Sequence, residues 1–333
     1  MRKLRLFIFI FVVTQSISAV KPRLNYLVRP ENYDLVYKEM DITTPDGYKI
    51  KTWFFPAQQL IHPDTIYDGG RVWPYFTWEK HLPRPYSIIN EQPKPTIIIC
   101  NGDSDNMGGW ISFAPYFISH GYNVVNFDWR GFGESSFFPA DTMRLSYTEY
   151  LVDYHAVIDS ISTLKEVDAQ NIGVYGASTG AYLSFAVAHT NPNVKCFAGR
   201  ALMTCFDDFL PYLHSERPER IGIKKPEKYP VELFPVNIAP KFIKPTFLIV
   251  GEHDTRTPVW MSESIYEKLK EEKELWIVKG AAHGGGNGPE FINFAEWRER
   301  VVDFYDKYLK CDNEKNSKNQ DYNTSNPQLN SFQ

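Results

Sequence analysis

Apolar positions along this chain follow two alternating rhythms. Short β-branched or aromatic runs read as strands: Thr96-Ile97-Ile98-Ile99-Cys100, Tyr122-Asn123-Val124-Val125-Asn126-Phe127, Ile172-Gly173-Val174-Tyr175, Pro245-Thr246-Phe247-Leu248-Ile249-Val250 and Glu274-Leu275-Trp276-Ile277-Val278. Between them, Tyr150, Leu151, Tyr154, Val157, Ile158 and Ile161 recur at helical spacing within Ser146–Leu164, and a small-residue helical segment, Ala181–Ala188, follows the third run. Strands alternating with helices as far as Leu309 predict an α/β fold with a mostly parallel sheet and right-handed crossovers. Upstream, Asp41–Ile50 is two alternating runs around Pro45-Asp46-Gly47, a hairpin that would open the sheet as its antiparallel edge.

The pattern breaks in four places. Residues 56–95 are rich in proline and aromatics, including Tyr67, Trp73, Tyr75, Phe76, Trp78 and Tyr86. Such a long irregular stretch either packs against the body or walls a substrate cleft. Residues 201–245, rich in Pro, Glu and Lys with Phe209, Leu210, Tyr212 and Leu213, stand where a short cap over an open site would lie. From Asp312 to Gln333 almost nothing is apolar, which predicts a disordered tail. At the other end, Arg2, Lys3 and Arg5 precede an apolar run from Leu6 to Val13 that closes in Ser16-Ile17-Ser18-Ala19. Residues 1–19 therefore read as a signal peptide, too short to span a bilayer, and predict a secreted, periplasmic or secretory-lumen protein.

Composition narrows the picture further. One large domain over residues 20–311 suits the length, and a net charge of −4 argues against a nucleic-acid surface. Of the four cysteines, Cys100 and Cys196 fall in predicted core strands. Cys205 and Cys311 are freer to pair, though spacing fixes no connectivity. Oligomeric state is not legible.

The chemistry concentrates at Gly176-Ala177-Ser178-Thr179-Gly180, where a strand turns sharply into a helix. Glycines flanking the serine let the helix pack close to the strand, and the turn pushes one hydroxyl out of the fold. A serine hydroxyl needs a histidine base, and the histidine needs a carboxylate to fix its tautomer. Two later strands end in Gly251-Glu252-His253-Asp254 and Gly280-Ala281-Ala282-His283, so Asp254 and His283 come at the carboxyl ends of strands, where open α/β sheets build their sites. Asp207 and Asp208 are alternative carboxylates. His155 lies in the predicted helix and His253 points to the other face from Asp254, so neither is expected to act in catalysis.

The order Ser178, Asp254, His283 around this turn resembles the α/β-hydrolase family, closest to its serine-aminopeptidase-like and small esterase branches. Asn101-Gly102-Asp103-Ser104 after the Thr96–Cys100 strand, and Asp128-Trp129-Arg130-Gly131-Phe132-Gly133-Glu134-Ser135 after Phe127, are similar to two further motifs of that family. The resemblance implies an α/β-hydrolase fold in which Ser178 attacks a carbonyl, His283 moves the proton and Asp254 orients His283. It also implies that the backbone N–H groups of Thr179 and Asp103 hold the oxyanion. Two positions depart from the pattern. Asn101 replaces the usual histidine, and the carboxylate of Asp103 would oppose a developing oxyanion unless paired or turned away. The expected substrate is a small-molecule or lipid-like carboxylic ester. Peptides, amides, thioesters, acyl transfer and a binding-only role stay open.

Other motifs carry no expectation. Asp103–Gly108 imitates a calcium loop, but Met107 and Ala114 stand where ligands belong. Gly131-Phe132-Gly133 lacks the third glycine of a dinucleotide fingerprint, and Gly284-Gly285-Gly286-Asn287-Gly288 lacks the lysine of a phosphate loop. No metal cluster or cofactor motif is present in the sequence.

Overall fold

In the computed structural model, which describes residues 18–33, 35–60, 86–88, 92–145 and 147–310, each of the five short runs read as strands from Thr96 onward forms a strand. A short β1 (Lys21–Pro22) precedes β2 (Lys38–Thr43) and β3 (Lys49–Phe55), then β4 (Gln58–Leu60), β5 (Tyr86–Ile88), β6 (Lys94–Cys100) and β7 (Ser104–Asp105). Helix α1 (Ala114–Ser119) leads to β8 (Asn123–Phe127), and α2 (Tyr147–Ile161) to β9 (Val167–Ala177). Then come α3 (Thr179–Thr190), β10 (Val194–Arg200), α4 (Phe206–Glu216) and α5 (Pro235–Ile238). The chain ends in β11 (Thr246–Gly251), α6 (Val259–Lys268), β12 (Lys273–Val278), α7 (Pro289–Ile292) and α8 (Phe294–Tyr305).

Eight strands form the main sheet in the order β12-β11-β10-β9-β6-β8-β3-β2. The six from β12 to β8 are mutually parallel, while β3 runs antiparallel to β8 and to β2. This is the α/β-hydrolase fold that the resemblance implies. The expected hairpin is β2–β3, closed by Gly47 at φ 90°, where a Cβ would be strained.

Side-chain alternation along the strands fills a core on each face of the sheet. Ile98, Val125 and Val174 pack with Tyr154, Val157 and Leu183 of α2 and α3. Ile97, Ile99 and Val124 face the opposite way, onto Phe117 of α1 and Trp297, Val301 and Tyr305 of α8. Burying one such aliphatic side chain stabilises the fold by about 1.5–3 kcal/mol, and a strand buried on both faces needs apolar residues at consecutive positions. Because β6 connects to β8 on one side while β9 lies on the other, the winding reverses between β6 and β9. Such a reversal opens a crevice at the strands' carboxyl ends.

The ends of the proline- and aromatic-rich stretch form a two-stranded ribbon, with Gln58 opposite Ile88 and Leu60 opposite Tyr86. Its interior, with Trp73 and Trp78, lies outside the described residues, as do residues 1–17 and the tail from 311. Ala19 and Val20 are buried, and Lys21 N–H donates to the Asp103 carbonyl. Cys100, Cys196 and Cys205 are free thiols and all buried; Cys311 is outside the described residues. No helix among the described residues is long and apolar enough to cross a membrane.

Candidate active site

Strand β9 ends at Ala177 and α3 begins at Thr179, leaving Ser178 alone at the turn with φ 55° and ψ −119°. A side chain in that conformation carries about 1–3 kcal/mol of strain, held in place by its surroundings. The two glycines make the turn possible. A Cβ on Gly176 would lie 2.4 Å from Ser184 Oγ and 2.6 Å from Ala181 Cα. One on Gly180 would lie 2.1 Å from the carbonyl oxygen of Cys100, at the end of β6. The start of α3 is thus pressed against the carboxyl end of β6, which sets Ser178 in the crevice.

Asp254 follows β11, and His283 follows β12. His283 Nε2 is 2.9 Å from Ser178 Oγ, and His283 Nδ1 is 2.9 Å from each carboxylate oxygen of Asp254. The structure therefore brings Ser178, His283 and Asp254 into one hydrogen-bonded line. Asp254 is buried and further engaged: the Arg256 and Thr257 N–H groups donate to Oδ1 at 2.8 and 2.9 Å, and the Thr257 hydroxyl to Oδ2 at 2.9 Å. Burial alone would raise its pKa, but His283 and these donors outweigh burial and hold the carboxyl below its ordinary value. Burial lowers the pKa of His283 from its ordinary value despite the upward pull of Asp254, with Arg200 and Arg256 adding to the lowering. A neutral imidazole facing a hydroxyl and backed by an ionised carboxylate can accept a proton from that hydroxyl.

Sequence reasoning missed two supports of this line. Thr257 is one, legible only as a hydroxyl three residues after the acid. The other is buried behind His283: Arg200, the last residue of β10, donates to the His283 carbonyl and pairs with Glu290 of α7. Tyr175 donates to Glu290 Oε1 at 3.1 Å, and Trp297 Nε1 to the Tyr175 hydroxyl at 3.1 Å. A charged residue closing the apolar run Phe197-Ala198-Gly199 was the available signal.

Thr179 and Asp103, the expected oxyanion donors, both border Ser178 in one pocket. Burial holds the Asp103 carboxyl above its ordinary range, against the pull of Arg256, His283 and a hydrogen bond from Thr179. A raised pKa weakens the opposition that a carboxylate there would offer. Asn101 is buried, and neither end of its amide has a hydrogen-bond partner among the described residues.

Two cavities meet at the serine. One is a small pocket of about 40 Å³, walled by Leu145, Tyr182, Met203, Phe209, Leu213 and Ile223, with Ala19 at its side. The other is an open cleft of about 380 Å³ that includes Trp110, Arg217, Thr255 and Gly284. The cap stretch covers the first pocket through α4. The alternative acids lie away from the line: Asp208 accepts from Thr204, and exposed Asp207 pairs with Lys225. His253 is exposed beside Glu252, and His155 bonds Thr190. Among the described residues, no group of three or more His, Cys, Asp or Glu is placed to hold a metal ion.

The profile of the prolyl oligopeptidase family matches residues 110–312, more than half of the chain. Among curated proteins, the chain is 28% identical to the uncharacterised protein YqkD of Bacillus subtilis over 60% of this chain and 68% of that one. It is 24% identical to the uncharacterised protein YfhR of Escherichia coli K12, over 77% of this chain and 86% of that one. Among solved structures, the Pyrococcus furiosus esterase Pf2001 superposes with a TM-score of 0.64 at 20% identity, covering 87% of this chain and 97% of the esterase. A puromycin-hydrolysing peptidase of Mycobacterium tuberculosis superposes with a TM-score of 0.61 at 16% identity, covering 84% of this chain and 40% of the peptidase.

Proposed function

The chain belongs to the prolyl oligopeptidase family of α/β serine hydrolases, and from that premise we propose that it hydrolyses carboxylic esters through an acyl-enzyme formed on Ser178. The observation that carries this reading is the line from Asp254 through His283 to Ser178, with 2.9 Å between His283 Nε2 and Ser178 Oγ. In the proposed cycle, Ser178 Oγ attacks the ester carbonyl as its proton passes to His283 Nε2. The tetrahedral oxyanion is held by the N–H groups of Thr179 and Asp103. Collapse expels the alcohol, which takes the proton from His283, and water then enters by the same steps in reverse. Asp254 holds the imidazole in the tautomer that leaves Nε2 free to accept, and stabilises the imidazolium once formed.

Esters are preferred on two grounds. The small pocket beside Ser178 has an apolar wall of Leu145, Met203, Phe209, Leu213 and Ile223 that suits a short acyl chain. The likeness to the esterase also spans nearly the whole of that protein, whereas the likeness to the peptidase spans under half of it. The family profile itself favours the second reading, peptide or aminoacyl amide cleavage by the same residues. The basic, then apolar start of the chain supports export.

The test is fluorophosphonate labelling with turnover of p-nitrophenyl esters of rising length against aminoacyl anilides, for wild type and Ser178→Ala. The variant should lose labelling and about 10⁶ in kcat while its unfolding curve is kept. Near-native turnover in Ser178→Ala refutes the assignment, and anilides cleaved faster than esters establish the peptidase reading.

A further inference from the structure

The rim of the two cavities holds a charge arrangement that the triad does not use. Arg256 borders both cavities, together with Asp103, Ser178 and His283. Arg217, which caps α4, faces the open cleft, and Arg220, in the turn that follows, faces the apolar pocket. Two of these arginines thus come from the cap segment and one from the loop that carries Asp254. Their side chains make no ion pair with a carboxylate among the described residues, and Arg256 Nε is buried without a hydrogen-bond partner.

Three guanidinium groups gathered at one rim repel each other. Burial first, and then the charges of Arg217 and Arg220, lower the pKa of Arg256 from the usual arginine value. The negative charges that face it are Asp103 and Asp254, and Asp254 is already committed to His283. A positive surplus therefore surrounds the serine. Elsewhere in this protein a buried arginine is answered: Arg130 by Asp46 and Asp153, Arg200 by Glu290. The guanidinium fork matches carboxylate and phosphate oxygens, so an anion entering the cleft would supply the partner the fold leaves out.

We propose that Arg217, Arg220 and Arg256 select substrates that carry an anionic oxygen group, a carboxylate or a phosphate, a few bonds from the scissile carbonyl. The inference rests on the hydrolase reading above and names its substrate class. The scissile carbonyl sits at Ser178, and the charged group reaches into the guanidinium cluster. Arg217 and Arg220 act on binding and take no part in proton transfer. A competing role for the cluster is general stabilisation of the tetrahedral oxyanion, which would serve neutral and anionic substrates alike.

The experiment compares kcat/KM within two matched pairs, corrected for spontaneous hydrolysis. For the carboxylate, p-nitrophenyl hydrogen adipate is set against its methyl ester. For the phosphate, the butyrate ester of 4-hydroxyphenyl phosphate is set against the butyrate ester of 4-methoxyphenol. Wild type should favour at least one anionic probe by tenfold or more at low salt, with the preference shrinking as salt rises. Which pair shows it identifies the anion. In the doubly substituted Arg217→Gln, Arg220→Gln enzyme the anionic-to-neutral ratio should fall at least tenfold, and Arg217→Lys, Arg220→Lys should restore part of it. Arg300→Gln, at an exposed pair with Glu296 on α8, should leave the ratio alone. A wild-type ratio near one in both pairs overturns the proposal, as does an equal loss on both members of a pair in the Gln variant. If wild type takes neither label nor any ester, the hydrolase reading has failed, and the proposal falls with it for that separate reason.

Discussion

Glu290→Gln tests whether the buried network behind His283 holds the hydrogen-bonded line of Ser178, His283 and Asp254 in register. The side chains of Arg200 and Glu290 are 6% and 2% exposed, and Arg200 also donates to the His283 carbonyl. Burial pulls the Arg200 pKa down and Glu290 leads the upward pull, but an arginine guanidinium is not deprotonated in proteins, so it stays charged when Glu290 is neutralised. Removing one partner of a buried pair costs about 3–5 kcal/mol, because the remaining charge has no compensation. Glutamine still offers an acceptor oxygen to Arg200 and Tyr175, which places the expected loss near 3 kcal/mol. Against a total stability of about 5–15 kcal/mol, that loss is readily measured by urea unfolding. Turnover should fall as well, since about 1 Å of displacement at a catalytic group can cost about 10²-fold. The joint variant Arg200→Met, Glu290→Leu separates the two effects. Deleting both charges should recover most of the stability, yet the His283 carbonyl still lacks its donor, so turnover should stay low. A loss under about 1 kcal/mol in Glu290→Gln, or full turnover in the joint variant, would refute the positioning argument.

The remaining predictions concern the acid and the base. Thr257→Val removes one of the donors to Asp254 and, with a charged acceptor involved, should cost about 1.5–3 kcal/mol of support. Turnover of p-nitrophenyl butyrate should fall about tenfold or more, as RT-scale conversion of that energy requires, with fluorophosphonate labelling slowed rather than abolished. Equal labelling and turnover would show that Thr257 is only packing. For pH, His283 must be neutral to accept a proton, and burial lowers its pKa from 6.5. kcat/KM should therefore climb with pH and level off, with its midpoint below 6.5. A midpoint above 7 would assign the base to another group.

Much of this protein can be read from local pattern. The strand-turn-helix around Ser178 was legible because Gly176 and Gly180 mark a close approach, and the distances a Cβ would meet there are what such spacing implies. Asp254 and His283 were legible because a parallel sheet puts its loops on one end, so residues just past β11 and β12 must share a neighbourhood with Ser178. The sheet itself followed from apolar runs alternating with helical spacing. Other features depend on contacts between segments far apart in sequence. Arg200 grips the carbonyl of a residue 83 positions later, and Glu290 answers it from a separate helix, a pairing no local periodicity encodes. Arg217 and Arg220 sit in a cap stretch whose charges look like solvated surface in the sequence. Only the folding of that stretch over β11's loop sets them beside Arg256. Hydrophobic period and turn chemistry act over a few residues, and they decided the architecture and the order in which Ser178, Asp254 and His283 come along the chain. Electrostatic partnership depends on distance in space, so which charges are paired, and which are left open toward the serine, was decided by the tertiary structure.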